Sequence, residues 1–197
     1  VRGTWGNVSA RLPGASRMLI TPSGRDYQTM NPDDLVVVDG QGNRVEGRWK
    51  PSTESPLHLA IYQHRPELGA IVHTHSPFAT AFAVAGRFIP VITEEMAQVV
   101  GGPVKNAPYA TCGSDELAVA VVKHLGSRQA VLLANHGLVG VGRDLKEALL
   151  SCIIAEKTAH IATIAKMLGG YSELDPDEVK GLRDNYINHY AREEVRE

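Results

Sequence analysis

Ala70-Ile71-Val72-His73-Thr74-His75 is the stretch on which the reading of this chain turns. A short apolar run bounded by Gly69 and by polar residues is the pattern of a buried strand. Successive side chains on a strand point to opposite faces, so His73 and His75 face the same way where the run leaves the core. Two such imidazoles can chelate one ion, although an HxH pair also fits two rings packed at a strand end.

Outward from this stretch, Val36-Val37-Val38 and Ala130-Val131-Leu132-Leu133 repeat the buried-strand pattern, and Met18-Leu19-Ile20 and Leu138-Val139-Gly140-Val141 add weaker instances. Pro56 to Arg65, Pro77 to Ala85 and Ser114 to Leu125 carry apolar residues near helical spacing, with Ser114 and the acids after it suited to a helix start. Asp144 and Glu147 resemble a capping box, from which Leu145 to Leu168 reads as one long amphipathic helix ending at Gly169-Gly170. Pro176 to Arg192 reads as a final charged helix. Strands and helices alternating through the middle, with helices closing the chain, predict an α/β fold: a central sheet covered by helices. Strand order and direction stay open. No repeat, low-complexity tract or proline-rich linker divides residues 1–197, so one domain is expected.

Apolar residues make up 43% of the 197, enough for a substantial core without staples. The formal net charge of −2 is spread along the chain, with no basic run to suit a nucleic acid or an anionic membrane. Cys112 and Cys152 lie far apart with no CxxC spacing, which suits free thiols in a reducing compartment. No apolar run approaches the roughly 20 residues of a membrane span and no signal-peptide pattern is visible, so a soluble cytoplasmic protein is expected. Valine at position 1, opening on a glycine-containing turn, leads us to expect a further N-terminal segment upstream.

A third imidazole sits in Leu133-Ala134-Asn135-His136-Gly137-Leu138, again where a strand meets a turn. Three neutral histidines with one position left open are an accepted set for catalytic zinc. His58, His64, His124, His160 and His189 fall in helical contexts and read as surface or packing residues. Glu54, just before a helix, is either a helix-start charge or, beside a metal, a ligand and general base. Gly3-Thr4-Trp5-Gly6-Asn7, Thr21-Pro22-Ser23-Gly24 and Ser52-Thr53 are rich in glycine and hydroxyls, which lets backbone N–H groups approach an anion; each alone also reads as a plain turn.

Taken in order, Gly-Thr-Trp-Gly-Asn-Val-Ser at Gly3, Thr-Pro-Ser-Gly at Thr21, Ser-Thr-Glu at Ser52, His-Thr-His at His73, Ala-Pro-Tyr-Ala-Thr at Ala107 and Asn-His-Gly at Asn135 resemble the class II aldolase/adducin family, in particular its L-fuculose-phosphate aldolases. The resemblance runs from Gly3 to about Tyr190. It implies a mixed α/β subunit with a mostly antiparallel sheet, a homotetramer with active sites at subunit boundaries, and zinc, or alternatively manganese or cobalt, on His73, His75 and His136. It also implies that Glu54 completes the coordination and serves as acid/base. Thr4, Gly6, Asn7, Ser23, Gly24, Ser52 and Thr53 then match the family's phosphate loops, and Tyr190 matches a catalytic tyrosine near the C-terminus. The implied reaction cleaves a ketose 1-phosphate to dihydroxyacetone phosphate and a short aldehyde. A sugar-phosphate 4-epimerase, dehydratase or decarboxylase, and a non-catalytic adducin-like module, are the alternatives. Two departures stand out: Glu94 and Glu95 stand in the Ile89–Met96 segment where the aldolases carry another catalytic tyrosine, which bears on the proton relay, and Cys112 stands where they carry an aromatic residue, which bears on the aldehyde.

Overall fold

The five apolar runs join one eight-stranded sheet, in a computed structural model that describes residues 5–14 and 16–190 except the Tyr190 side chain. The strands are β1 (Asn7–Arg11), β2 (Arg17–Ile20), β3 (Val36–Asp39), β4 (Arg44–Glu46), β5 (Ala70–Thr74), β6 (Asn106–Ala107), β7 (Ala130–Leu133) and β8 (Gly137–Gly142). Their order is β4-β3-β2-β1-β5-β8-β7-β6, and every pair is antiparallel except β6 with β7. The helices are α1 (Ser55–His64), α2 (Pro77–Val84), α3 (Asp115–Leu125), α4 (Leu145–Met167) and α5 (Pro176–Asn185), the last running into a π-helical turn at Tyr186–Tyr190. This is the mixed α/β, mostly antiparallel sheet that the sequence and its resemblance predict.

The period of two along β5 divides the core. Ala70 and Val72 join Leu132, Leu138 and the buried faces of α2 and α4. Ile71 joins Val131, Leu133, Val139 and the buried faces of α1 and α3. His73 follows Ile71 by two residues and so stands on the α1 face.

Three strands escape the apolar-run reading, each for a local reason. In β1 the buried positions are Asn7 and Ser9, which are polar. β4 is an exposed edge strand, and β6 has only two residues.

Ser114 accepts the N–H of Leu117 and caps α3 as expected. At α4, Asp144 accepts the N–H of Glu147 at 2.8 Å, but the Glu147 carboxylate takes the N–H of Arg143 rather than that of Asp144, so the capping box is displaced by one residue. Against the expectation that no segment is long and apolar enough to cross a membrane, α4 is so by length and composition. Ala148, Cys152, Ala155 and Ala159 are nevertheless buried against the sheet, as in a core helix.

Glycine makes that close seat possible. A Cβ on Gly140 would stand 2.5 Å from Cys152 Sγ and 2.7 Å from the Ala148 carbonyl oxygen, and one on Gly142 would stand 2.5 Å from the Ala148 nitrogen. Gly140→Ala should therefore push α4 off β8 and lower stability by about 1–3 kcal/mol, the usual cost of overpacking. A urea midpoint equal to the parent's would show that α4 yields freely.

Candidate metal centre

Antiparallel pairing brings the histidines together. Asn7 lies opposite His73 in β1–β5, Thr74 opposite Leu138 in β5–β8, and Leu133 opposite Gly137 in β7–β8. The hairpin between β7 and β8 therefore turns beside the end of β5. Its turn is made by Asn135 in the left-handed region (φ 58°), with the His136 N–H donated to the Leu133 carbonyl. Gly137 is required for space rather than for its dihedral: a Cβ there would sit 2.5 Å from the Thr74 carbonyl oxygen and 3.1 and 3.2 Å from ring carbons of His75 and His73.

The rings of His73, His75 and His136 form a nearly equilateral triangle, with centroids 4.9, 4.8 and 4.9 Å apart. His73 is fully buried and its Nδ1–H donates to the Leu138 carbonyl at 2.9 Å, which leaves the Nε2 lone pair facing the triangle. That Nε2 lies 3.0 Å from Nε2 of His75. Two nitrogens bound to one tetrahedral zinc lie roughly 3.3 Å apart, so little movement separates this spacing from shared coordination. Burial, and secondly the neighbouring His136 and His75 rings, push His73 down to about 4 against the pull of Glu54, so the ring is neutral at pH 7, as a ligand must be.

Glu54 stands at the N-terminus of α1 without capping it. Its carboxylate is 5% exposed, with Oε2 3.3 Å from His73 Nε2 and Oε1 3.7 Å from His136 Nε2. Asn7 Nδ2 donates to Oε2 at 2.6 Å, whereas Oε1 is buried with no hydrogen-bond partner among the described residues. Burial pushes the Glu54 carboxyl up, but the His73 and His136 rings and the Asn7 amide outweigh it and hold it below the ordinary range. Three imidazoles and a carboxylate with an unsatisfied oxygen form a donor set that fits one divalent cation.

The glycine- and hydroxyl-rich loops gather around this cluster. The Tyr27 hydroxyl donates to the Gly6 carbonyl at 3.0 Å and meets Thr21 Oγ1 at 3.1 Å, and Thr21 Oγ1 in turn accepts the Val8 N–H. Pro22 and Pro51 bridge the second and third loops, with the Ser23 N–H on the Lys50 carbonyl and the Ser52 N–H on the Thr21 carbonyl. Ser23, Gly24 and Thr53 are exposed, while Ser52 is buried and accepts the Glu54 N–H. Gly6 needs its positive φ of 87°, and a Cβ there would sit 2.5 Å from the His73 carbonyl oxygen. Asn7 is buried, its side chain engaged by Glu54 and His58. Thr4 lies outside the described residues, and Tyr190 closes the last turn with its side chain likewise outside them.

Other groups enter that sequence reading passed over or left open. Trp5 stacks on His75 with centroids 5.9 Å apart. Cys112 is exposed, and its Sγ, a Glu54 oxygen and a His136 nitrogen all lie within 4.8 Å of one another. Glu95 pairs with Lys157 of α4. Of the five histidines assigned to surface or packing, His64, His160 and His189 are exposed and His124 is half-buried, but His58 is fully buried in a polar network. It bonds Asn7 Oδ1 through Nε2 and Ser9 Oγ through Nδ1, each at 2.6 Å.

Residues 1–163 match the family model described as "Class II Aldolase and Adducin N-terminal domain". The chain belongs to the class II aldolase and adducin family. A 5-deoxy-D-ribulose 1-phosphate aldolase of Bacillus thuringiensis serovar kurstaki is 36% identical over 185 residues, covering 94% of this chain and 86% of that one. An L-ribulose-5-phosphate 4-epimerase of Salmonella paratyphi B is 37% identical over 177 residues, covering 83% and 76%. Among solved structures, an L-fuculose 1-phosphate aldolase superposes with a TM-score of 0.90 at 38% identity, covering 94% of this chain and 87% of that one. The chain is an enzyme of the class II aldolase superfamily, whose relatives include both aldolases and epimerases.

Burial of neutral rings makes the metal-free protein acid-sensitive. His58 is pushed down to about 3, chiefly by burial, and His73 to about 4. Above the unfolded value near 6.5, both states leave these rings neutral; below it, the unfolded chain takes up protons that the folded chain refuses. Stability is therefore lost as pH falls from about 6.5 towards 4, by up to roughly 1.4 kcal/mol per pH unit for each ring. Urea midpoints of chelator-treated protein should fall steadily over that window, and a flat profile would contradict the assignment.

Proposed function

We propose that this chain is a zinc-dependent class II aldolase that cleaves a ketose 1-phosphate, L-fuculose 1-phosphate or a close analogue, to dihydroxyacetone phosphate and a short aldehyde. The observation that carries this reading is the convergence of the His73, His75 and His136 rings on one point, faced by Glu54 Oε1, which is buried with no hydrogen-bond partner among the described residues. Those three imidazoles are the metal ligands and Glu54 the fourth. Zinc suits such a set best, with manganese or cobalt as substitutes. When bound, the cation supplies Lewis-acid chemistry, making the negative charge left by carbon–carbon cleavage tolerable.

The chain's own groups do the rest. The loops at Thr4, Gly6 and Asn7, Ser23 and Gly24, and Ser52 and Thr53 hold the substrate phosphate with backbone N–H groups and neutral hydroxyls, and so orient the sugar. The C4 hydroxyl loses its proton as the C3–C4 bond breaks and C4 becomes the aldehyde carbon; Tyr190, reaching in from a neighbouring subunit, takes that proton. Tyr190 passes that proton by way of solvent to the ionised Glu54 carboxylate, which delivers it to C3, completing dihydroxyacetone phosphate with no net change in protons. The proposal extends to a cytoplasmic homotetramer with sites at subunit boundaries. In its support, Leu149 and Ile153 are exposed on α4 and line a cavity of about 1050 Å³ shared with Trp5 and His75. The Salmonella relative favours a second reading, a 4-epimerase, which breaks and remakes the same kind of bond without releasing the aldehyde.

His73→Ala and His136→Ala should each lose bound metal and activity while staying folded, as read by elemental analysis and circular dichroism. Turnover at the parent rate would remove the metal assignment. Glu54→Gln should keep the metal and slow turnover by roughly two to four powers of ten, the size of a general acid–base contribution. An unchanged rate would leave Glu54 a ligand only. Incubating metal-replete protein with ketose 1-phosphates and pentulose 5-phosphates separates the two reactions: dihydroxyacetone-phosphate release supports the aldolase, and isomerised pentulose without release supports the epimerase.

A further inference from the structure

A buried polar ladder runs away from Glu54 between α1 and β1. Glu54, His58 and Tyr62 are spaced four apart, one face of the α1 segment; Asn7 and Ser9 are two apart, one face of β1. The two sets interdigitate. Asn7 Nδ2 lies 2.6 Å from Glu54 Oε2, Asn7 Oδ1 2.6 Å from His58 Nε2, His58 Nδ1 2.6 Å from Ser9 Oγ, and Ser9 Oγ 2.9 Å from the Tyr62 hydroxyl. All five residues are buried.

The chemistry of the end group fixes every proton in this ladder. An ionised carboxylate only accepts, so the Asn7 amide N–H₂ must face Glu54 and its oxygen must face His58. That oxygen also only accepts, so His58 carries its proton on Nε2. The Nδ1 lone pair then accepts from Ser9, whose oxygen accepts from Tyr62. Burial pushes the Tyr62 phenol up to about 12, so its proton is always there to give. Each donor points towards Glu54, an arrangement in which successive bonds polarise one another.

We propose that His58 is a positioning residue: through Asn7 it holds Glu54 by Oε2 and so presents Oε1 as the one free oxygen of the site. Without the His58 donor, Asn7 Oδ1 loses the bond that anchors it, the amide is free to swing off Oε2, and the two oxygens of Glu54 are no longer distinguished. This rests on the metal-centre reading above, where Oε1 is the atom that meets cation and substrate.

Two substitutions at one position test it. Glutamine offers one N–H to Asn7 and one carbonyl to Ser9, preserving the ladder's direction; leucine fills similar space and offers neither. His58→Leu should lower kcat about 10- to 100-fold with KM within roughly 3-fold, and weaken zinc in a chelator competition by a comparable factor, the range seen when a ligand's outer partner is lost. His58→Gln should recover most of both. If His58 merely fills the core, the order reverses, because a buried amide is worse packing than leucine. Tyr62→Phe removes only the far hydroxyl and should shift the same quantities by roughly 5-fold, the worth of one hydrogen bond, should the leucine variant not fold. Nitrogen-15 spectra of the parent at pH 7 should show the Nε2–H tautomer at His58; an Nδ1–H tautomer overturns the proposal. Should no sugar phosphate be cleaved, the aldolase reading falls, yet the zinc competition and the tautomer still decide the role of His58.

Discussion

The register of β5 between β1 and β8 is the constraint from which the site follows. Asn7 opposite His73 and Thr74 opposite Leu138 bring three donors into range from segments more than sixty residues apart in sequence. A slip of one residue in either pairing would send the His73 ring to the α4 face and into the apolar layer of Val72 and Leu132. The bond from His73 Nδ1 to the Leu138 carbonyl is itself a product of that register, so strand pairing sets both the position of the ring and the nitrogen it offers.

A buried carboxylate is the second constraint. Taking Glu54 out of water is unfavourable unless donors replace the lost hydration, and the nearby groups do so unevenly. Oε2 has the Asn7 amide, while Oε1 has no hydrogen-bond partner among the described residues and stands 3.7 Å from His136 Nε2. That asymmetry ties the fold to the chemistry. The polar face of β1, which looks like a defect in a buried strand, is the face that supports the acid.

Much of this was legible in the residues. Periodicity located β2, β3, β5, β7 and β8 and the first four helices because most of their buried positions are apolar, α5 reads from its charged residues, and the HxH spacing gave His73 and His75 a common face because strand geometry has a period of two. β1 stayed hidden for the same reason: a strand whose inward side chains are Asn7 and Ser9 shows no apolar alternation. The polar network of His58 stayed hidden because a histidine in a helix is unremarkable by itself. The signal that would have found it is joint: Glu54, His58 and Tyr62 at four-residue steps, read against Asn7 and Ser9 at a two-residue step. At the turn between β7 and β8 the unusual dihedral belongs to Asn135, and Gly137 is there because any side chain would displace the rings.

Strand β8 is bare on both sides where it counts. Gly137 faces the histidine rings, and Gly140 and Gly142 face α4, so helix and rings are separated by little more than one thickness of peptide backbone. Backbone in a hydrogen-bonded sheet has few rotamers to absorb a displacement, whereas a layer of leucines would repack. The helix therefore acts as a datum against which the histidine triangle is gauged, and the tolerance on the outer scaffold is inherited, almost undiluted, by the spacing of the three rings.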